Sequence, residues 1–188
     1  MHKIVVLRWG HRPRDERLTT HIALTARALG ASGMILADIE DKKIEKTVEK
    51  VVKNWGGPFF FQMGTPWKKV LKNWKTGRGI VVHLTAYGEN IQNSAVLERI
   101  RIQKKDVLVI VGSRKVPSIF FSPEISDFNI AVGNQPHSEC SSLAVFLDRF
   151  FGGKILTKKF KNPHLHIIPQ KHGKKVVSEK FKSQTTPR

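Results

Sequence analysis

Two segments of this sequence each join a buried apolar run directly to a loop that contains glycine and polar residues. The first spans residues 109–117 (VIVGSRKVP), and the second spans residues 129–147 and continues from its loop into an apolar helix. Loops at the carboxyl ends of parallel strands bind small molecules in α/β proteins. A third strand end, residues 84–88 (LTAYG), has the same character. Together these segments predict a small-molecule site made of backbone hydrogen bonds and apolar side chains.

Glycine and serine at defined places in these loops support that interpretation. Gly112 and Gly133 would let a ligand approach the backbone closely, because glycine has no side chain. Ser138 is suited to cap the helix that follows the second loop. The apolar residues at the strand ends that could hold an adenine ring between them are Leu84, Val116, Ile130 and Val132. The alternative is that each loop is an ordinary connection between a strand and a helix.

The common signatures of other chemistries are missing from the sequence. It contains no Walker A loop, and no G-x-G-x-x-G follows the first predicted strand, which argues against ATP-driven chemistry and ordinary dinucleotide binding. His164 and His166 have neither a cysteine nor a carboxylate close by in the sequence. The sequence therefore predicts no bound metal.

Charge is distributed unevenly along the 188 residues, whose formal net charge is +18. Residues 79–150 carry seven basic and seven acidic side chains, whereas residues 151–188 carry ten against one, a net of +9. Such an excess predicts a polyanionic partner, and we favour a nucleic acid over an anionic membrane. We expect no membrane association, since no apolar run is long enough to span a bilayer and the start lacks a signal peptide. The lone Cys140 favours a reducing, cytoplasmic location.

Arginines and lysines in two stretches are the candidates for binding RNA. Guanidinium groups bind phosphates through paired hydrogen bonds, and residues 8–17 hold four arginines beside Trp9. The alternative for residues 8–17 is a solvated loop whose positive charge is balanced by Asp15 and Glu16. The predicted RNA-binding residues are Arg8, Arg12, Arg14, Lys158, Lys159 and Lys161.

Apolar periodicity predicts alternating strands and helices. The predicted strands span residues 3–7, 33–37, 59–63, 79–84, 107–111 and 129–132. The predicted helices span residues 19–29, 42–54, 66–75, 91–102 and 138–151, the first of them capped by Thr19 and Thr20. This alternation is typical of an α/β fold with a mainly parallel sheet and helices on both faces. We expect one domain over residues 1–170 and a basic tail over 171–188 that is frayed or becomes ordered on RNA.

Three blocks of the sequence resemble the SPOUT superfamily of RNA methyltransferases. They are residues 17–30 followed by GMILA, residues 109–117 and residues 129–144, and the resemblance covers about residues 1–151. It implies a deep trefoil knot near the C-terminus, bound S-adenosyl-L-methionine, a homodimer and 2′-O-methylation of a ribose. A narrower resemblance to archaeal tRNA 2′-O-methyltransferases implies cytidine 56 of the T-loop as the target.

The resemblance also assigns residues to the cofactor and to catalysis. The implied cofactor contacts are Leu84, Gly112, Ser113, Arg114, Lys115, Val116, Ile130, Ala131, Val132, Gly133, Asn134, Gln135, Pro136 and His137. The asparagine and arginine of the superfamily's first motif fall on Leu18 and Leu24 here. Arg17 is the nearest arginine, and we expect it to orient the ribose hydroxyl. Because arginine is a poor base, we expect His21 or His137 to accept the proton.

Two other functions fit the same sequence. One is a tRNA-binding protein that keeps the fold without catalysis, and the other is a SPOUT methyltransferase that acts on another RNA site or on a base. The glycines at positions 112 and 133 favour an enzyme, because a degenerate site need not keep them. Cofactor binding would separate an enzyme from a binding protein, and the position of the methylated product would separate the enzymes from one another.

Overall fold

The computed structural model describes residues 3–113 and 115–178. Its strands are β1 (Ile4–Trp9), β2 (Gly33–Leu36), β3 (Phe60–Met63), β4 (Ile80–Asn90), β5 (Val107–Gly112), β6 (Phe128–Ala131), β7 (Leu165–Ile168) and β8 (Lys175–Ser178). Its α-helices are α1 (Glu16–Ala28), α2 (Lys42–Trp55), α3 (Trp67–Thr76), α4 (Val96–Arg101) and α5 (Glu139–Phe150). Short 3-10 helices cover Pro13–Asp15, Ser118–Phe121 and Lys154–Thr157.

Six strands form one parallel sheet in the order β3-β2-β1-β5-β4-β6. The central strands are almost continuously apolar, as strands covered on both faces must be, and Val107–Val111 are all buried. The α/β fold with a parallel sheet is therefore confirmed.

The two faces of the sheet are covered unequally. Helices α1, α2, α4 and α5 contribute to the larger core, with Ile22, Ile44, Ile100 and Leu143 fully buried in it. The other face is covered by α3, through Val70 and Leu71, and by Phe120 of the second 3-10 helix. Helices thus lie on both faces, as predicted.

Helix α1 begins earlier than the sequence predicts. The turn Pro13–Asp15 leads directly into the helix at Glu16, so Thr19 lies within the helix instead of capping it. Thr19 is fully buried, and its hydroxyl contacts Arg8 and His11. The predicted cap was wrong because this hydroxyl serves tertiary contacts.

Strand β4 is longer than predicted because it pairs with β6 twice. Leu84 and Glu89 both align with Ile130, and the intervening residues bulge around β6. Gly88 lies directly on that strand, since a Cβ added to it would come within 2.5 Å of the Ile130 nitrogen and 2.6 Å of the Asn129 carbonyl. This bulge brings the backbones of β4 and β6 into direct contact. It also delays the next helix, so α4 covers only the second half of the predicted span.

Strands β7 and β8 form an antiparallel hairpin, here called the C-terminal hairpin, that the sequence did not predict. Ile167 aligns with Val176, and both are more than half exposed. The expectation of a frayed tail is wrong for residues 175–178, which form β8, and residues 179–188 lie outside the described residues.

The chain before the hairpin is anchored to the end of α2. Arg27 donates hydrogen bonds to the Gly56 carbonyl, the shortest of them 2.6 Å, and its guanidinium lies 4.4 Å from the centre of the Phe160 ring. Gly57 and Lys161 exchange two backbone hydrogen bonds of 3.0 and 3.2 Å. One arginine therefore connects α1, the end of α2 and the segment that leads to the hairpin.

Candidate active site

A cavity of about 730 Å³ opens where the carboxyl ends of β4 and β5 meet the start of α5. We call it the strand-end cavity. Its lining residues are His83, Leu84, Thr85, Ala86, Tyr87, Val111, Gly112, Lys115, Val116, Ser118, Phe121, Pro136, His137, Ser138, Glu139 and Ser142. Its size lies within the range of small-molecule sites, and its position is the one predicted from the strand ends.

The structure brings six of the predicted cofactor residues together in this lining. They are Leu84, Gly112, Lys115, Val116, Pro136 and His137. The others described do not line the cavity: Ser113, Ile130, Ala131, Val132, Gly133, Asn134 and Gln135. Arg114 lies outside the described residues. Ile130 and Ala131 are buried within β6.

Asn134 holds the loop before α5 against the bulge of β4. Its amide nitrogen donates to the carbonyls of Ala86 (2.8 Å) and Gly88 (3.3 Å), and its oxygen accepts a hydrogen bond from Asn90 (2.9 Å). The residue therefore joins two walls of the strand-end cavity.

Arg8 lies inside the protein, which corrects its predicted place on the RNA surface. Its side chain is fully buried, and Nη1 donates to the Gly112 carbonyl at 2.6 Å and lies 3.6 Å from a carboxylate oxygen of Glu139. Nε donates to the Thr19 hydroxyl at 3.4 Å. Burial lowers the pKa of Arg8, an effect that Glu139 opposes. In this arrangement Arg8 links β1 to both loops of the cavity and cannot reach a phosphate on the surface.

A chain of polar contacts continues from Arg8 away from the cavity. The Thr19 hydroxyl lies 2.9 Å from His11 Nδ1, and His11 Nε2 lies 3.3 Å from an Asp41 carboxylate oxygen. The other oxygen of Asp41 accepts hydrogen bonds from backbone nitrogens of the first turn of α2, including that of Lys43 at 3.0 Å. The site is thereby connected to the starts of two helices.

A second ion pair fixes the loop after β5. Arg12 donates two hydrogen bonds to Asp15, of 2.8 and 3.1 Å, and Ser113 donates one of 3.0 Å to the same carboxylate. The Arg12 guanidinium, helped by Ser113, lowers the pKa of Asp15. Ser113 thus serves the cavity by holding the loop rather than by lining it.

Ten of the sixteen lining residues were not among the predicted cofactor contacts, and three of these ten stand out by their side chains. Glu139 is the one carboxylate among the described lining residues, Tyr87 is 88% exposed, and His83 is buried. Glu139 follows the N-cap Ser138, where a carboxylate already has a structural explanation, since it stabilises a helix start. Only the fold shows that Glu139 also faces a cavity.

The structure separates Arg17 and His21 from the strand-end cavity and from His137. Arg17 and His21 lie one turn apart on the exposed side of α1, and neither lines the strand-end cavity. His137 does line it, and its Nδ1 lies 3.2 Å from the Ser138 carbonyl. A carbonyl only accepts hydrogen bonds, so Nδ1 carries the hydrogen and Nε2 of a neutral His137 is left as a proton acceptor.

The remaining predicted RNA-binding residues lie nearer the surface. Arg14 is exposed, and Arg12 is partly buried beside Asp15. Lys158, Lys159 and Lys161 are exposed on the segment before the C-terminal hairpin. No group of metal-binding side chains is found in residues 3–113 and 115–178. In the same ranges, no helix is long and apolar enough to cross a membrane.

Comparison with known sequences gives consistent matches over nearly the whole chain. The family tRNA ribose 2′-O-methyltransferase, aTrm56, matches residues 55–177. The tRNA (cytidine(56)-2′-O)-methyltransferase of Thermococcus kodakarensis is 52% identical over 178 residues, which cover 93% of this chain and 96% of that protein. The protein with the same name from Methanocaldococcus jannaschii is 50% identical, with coverages of 94% and 97%.

Solved structures share the fold at low sequence identity. The TrmH/SpoU tRNA modifying enzyme of A. aeolicus aligns with a TM-score of 0.57 at 13% identity, over 82% of this chain and 76% of that one. The SpoU methyltransferase AviRb of Streptomyces viridochromogenes, crystallised with AdoMet, gives 0.58 at 13% identity, with coverages of 82% and 58%. The SPOUT-type fold expected from the sequence is confirmed.

Proposed function

This chain belongs to the tRNA ribose 2′-O-methyltransferase family, and from that premise we propose that it methylates the 2′-hydroxyl of cytidine 56 in the T-loop of tRNA. The observation that carries this proposal is identity of about half the residues, over nearly the full length, to proteins named for that reaction.

We propose that the strand-end cavity binds S-adenosyl-L-methionine, which would supply the activated methyl group. The donor set fits this molecule, because Leu84, Val111 and Val116 offer apolar contacts, whereas Ser138 and Glu139 offer polar ones. The carboxylate of Glu139 suits a ligand that carries positive charge. Arg8 holds Gly112 and lies close to Glu139, so the two loops that would contact the cofactor share one buried anchor.

His137 is the favoured proton acceptor for the ribose hydroxyl. It lines the cavity with a free Nε2, whereas His21 lies on the exposed side of α1. Since proton transfer needs contact within hydrogen-bond distance, the residue at the cavity has the advantage within one subunit. The main task of the protein is to align the hydroxyl with the methyl group.

Arg17 and His21 would reach a cavity only from a second copy of the chain. We therefore propose a homodimer in which the exposed side of α1 faces the partner's strand-end cavity, and Arg17 orients the hydroxyl there. The arrangement assigns a function to two polar residues that have no role in the cavity of their own subunit.

The tRNA backbone is proposed to contact Arg14 and the exposed lysines before the C-terminal hairpin. Lys158, Lys159 and Lys161 are the predicted contacts, and their side chains are exposed. Phosphates attract such groups strongly at low salt. These basic residues lie outside residues 79–150, the segment without net charge that forms the cavity lining.

The decisive experiment is methyl transfer from radiolabelled S-adenosyl-L-methionine to an unmodified tRNA transcript, followed by nuclease mapping. We expect the label on the ribose of cytidine 56, and a transcript with 2′-deoxycytidine at that position should stay unlabelled. Label at another nucleotide would establish a different target. Binding of tRNA without any cofactor binding or methyl transfer would favour a non-catalytic tRNA-binding protein.

A further inference from the structure

His83 is a buried residue of the strand-end cavity that has no role in the reaction proposed above. It lies on β4, is only 1% exposed, and reaches the cavity lining. Two aromatic rings border it edge-on, with centroids 5.9 Å away for Phe120 and 4.9 Å away for Phe121. A polar ring in such apolar surroundings needs partners for both of its nitrogens.

Asn129 on the neighbouring strand β6 is the partner of one of these nitrogens. The Asn129 amide nitrogen donates to the Phe121 carbonyl at 3.0 Å, so its oxygen must be the atom that lies 3.0 Å from His83 Nδ1. An amide oxygen can only accept, and Nδ1 of His83 therefore carries the hydrogen. Asn129 thus determines which tautomer of His83 is present.

The other nitrogen, Nε2, is consequently a bare acceptor. Burial lowers the pKa of His83 and favours the neutral ring. No residue in the described part of the chain donates a hydrogen bond to Nε2, and His83 is one of the residues that line the strand-end cavity. The cavity beside it offers the place from which a ligand can supply that donor.

We propose that His83 selects the adenine base of the cofactor by accepting a hydrogen bond from its exocyclic amino group. This rests on the proposed function. Because His83 is almost completely buried, a ligand would approach it from the strand-end cavity, where Val116 and Phe121 supply apolar surface. Adenine combines flat apolar faces with a donor on one edge, which a ribose hydroxyl does not.

The test compares two stable ligands that differ at this group. S-adenosylhomocysteine carries the amino group, whereas S-inosylhomocysteine carries a carbonyl oxygen that would face the lone pair of Nε2. We expect calorimetry to show that the wild type binds the adenine ligand at least about tenfold more tightly. A wild type that binds both ligands equally would overturn the inference.

His83→Asn is the matched variant. The asparagine amide can take the place of Nδ1 and keep the hydrogen bond to Asn129, but it has no atom at the position of Nε2. We expect it to bind the two ligands within about threefold of each other, mainly through loss of affinity for the adenine ligand. Unchanged discrimination in this variant would contradict the proposal.

Asn129→Leu keeps Nε2 but removes the group that sets the tautomer, and it provides an answer even if His83→Asn does not fold. We expect its discrimination to fall to an intermediate value, because the neutral ring can then carry its hydrogen on either nitrogen. Discrimination equal to that of the wild type would show that Asn129 does not position His83. Failure of the wild type to bind either ligand would count against the proposed cofactor site instead.

Discussion

The strand-end cavity and the C-terminal hairpin are stabilised in different ways. The cavity is enclosed by central strands and by buried polar contacts such as that of Arg8 with Gly112. The hairpin is a two-stranded unit with exposed apolar residues, and a single arginine and a pair of backbone hydrogen bonds help to hold the segment before it. The comparison indicates that the cavity belongs to the cooperative core, whereas the hairpin can separate from it locally.

Gly88→Ala should have the largest effect, because Gly88 lies in the bulge of β4 directly against the backbone of β6. A methyl group there would meet backbone atoms at 2.5–2.6 Å, which no side-chain movement can relieve. We expect the free energy of unfolding to fall by roughly 3 kcal/mol or more, measured by chemical denaturation.

Gly133→Ala is the matched control for that change. A Cβ at Gly133 meets nothing within 4 Å, so its stability should stay within about 0.5 kcal/mol of the wild type. Equal stability of the two variants would show that the close contact between Gly88 and β6 does not constrain the fold.

Arg17→Ala extends the comparison to the exposed face of α1. We expect the turnover number to fall about a hundredfold, while cofactor affinity changes by less than about threefold, because this residue acts on the developing charge of the transition state. Single-turnover kinetics and calorimetry separate the two quantities. Unchanged turnover would remove Arg17 from the mechanism.

Mixed dimers test whether Arg17 acts across subunits. Val116→Trp should block the strand-end cavity, and each variant alone should have no more than about a hundredth of the wild-type activity. Mixing the two should restore activity, since one dimer then contains an open cavity faced by an intact Arg17. If no activity returned, Arg17 would not act from the partner.

Phe160→Ala would break the attachment of the segment before the hairpin. The ring lies under Arg27 and beside Gly56, and its loss should cost about 1–2 kcal/mol locally. We expect faster hydrogen exchange in residues 165–178 with unchanged protection of β1 and β5. Equal acceleration throughout the sheet would show that hairpin and core unfold together.

Replacing Lys158, Lys159 and Lys161 by alanine should weaken tRNA binding and leave cofactor affinity unchanged. The slope of log affinity against log salt should become shallower by about 2, as expected when up to three phosphate contacts are lost. Lys46, Lys50 and Lys53 on α2 provide a control with the same loss of charge. An equal effect of both triple variants would indicate general attraction rather than a defined surface.

The smallest expected effect concerns pH and His83. Burial lowers the pKa of this residue, so below about 6.5 the unfolded chain binds a proton that the folded state resists. The free energy of unfolding is therefore not reduced by this histidine above that pH. It decreases as the pH falls below that value, by no more than about 1.4 kcal/mol per pH unit for this one residue. His83→Asn should show a shallower decline between pH 7 and 5, and an identical decline would contradict the buried neutral ring.

Features that depend on residues close together in the sequence, such as helix caps and buried strands, were mostly predicted. Ser138 caps α5 as expected, with its hydroxyl accepting a hydrogen bond from the Ser141 nitrogen at 3.2 Å, and the buried strands were found from their apolar runs. Thr19 was misplaced because a threonine before an apolar run has the same appearance whether it caps a helix or serves a tertiary contact.

Residues whose role depends on distant partners could not be predicted in this way. Arg8 belongs to an arginine-rich stretch, and only the pairing of β1 with β5 places it beneath Gly112. The C-terminal hairpin was missed because each of its strands is only four residues long and lies within a stretch rich in lysine and histidine. His83 gave no signal, since its importance depends on Asn129, 46 residues later.

The strand order also has a consequence for synthesis of the protein. Strand β4 pairs only with β5 and β6, and both follow it in the sequence. On the ribosome, β1, β2 and β3 can associate as they emerge, whereas the apolar start of β4 must wait without a partner until β5 is made. An unpaired apolar strand is prone to aggregate. The interval between the emergence of residue 90 and that of residue 112 from the ribosome is therefore the period in which this strand is exposed without either of its partners.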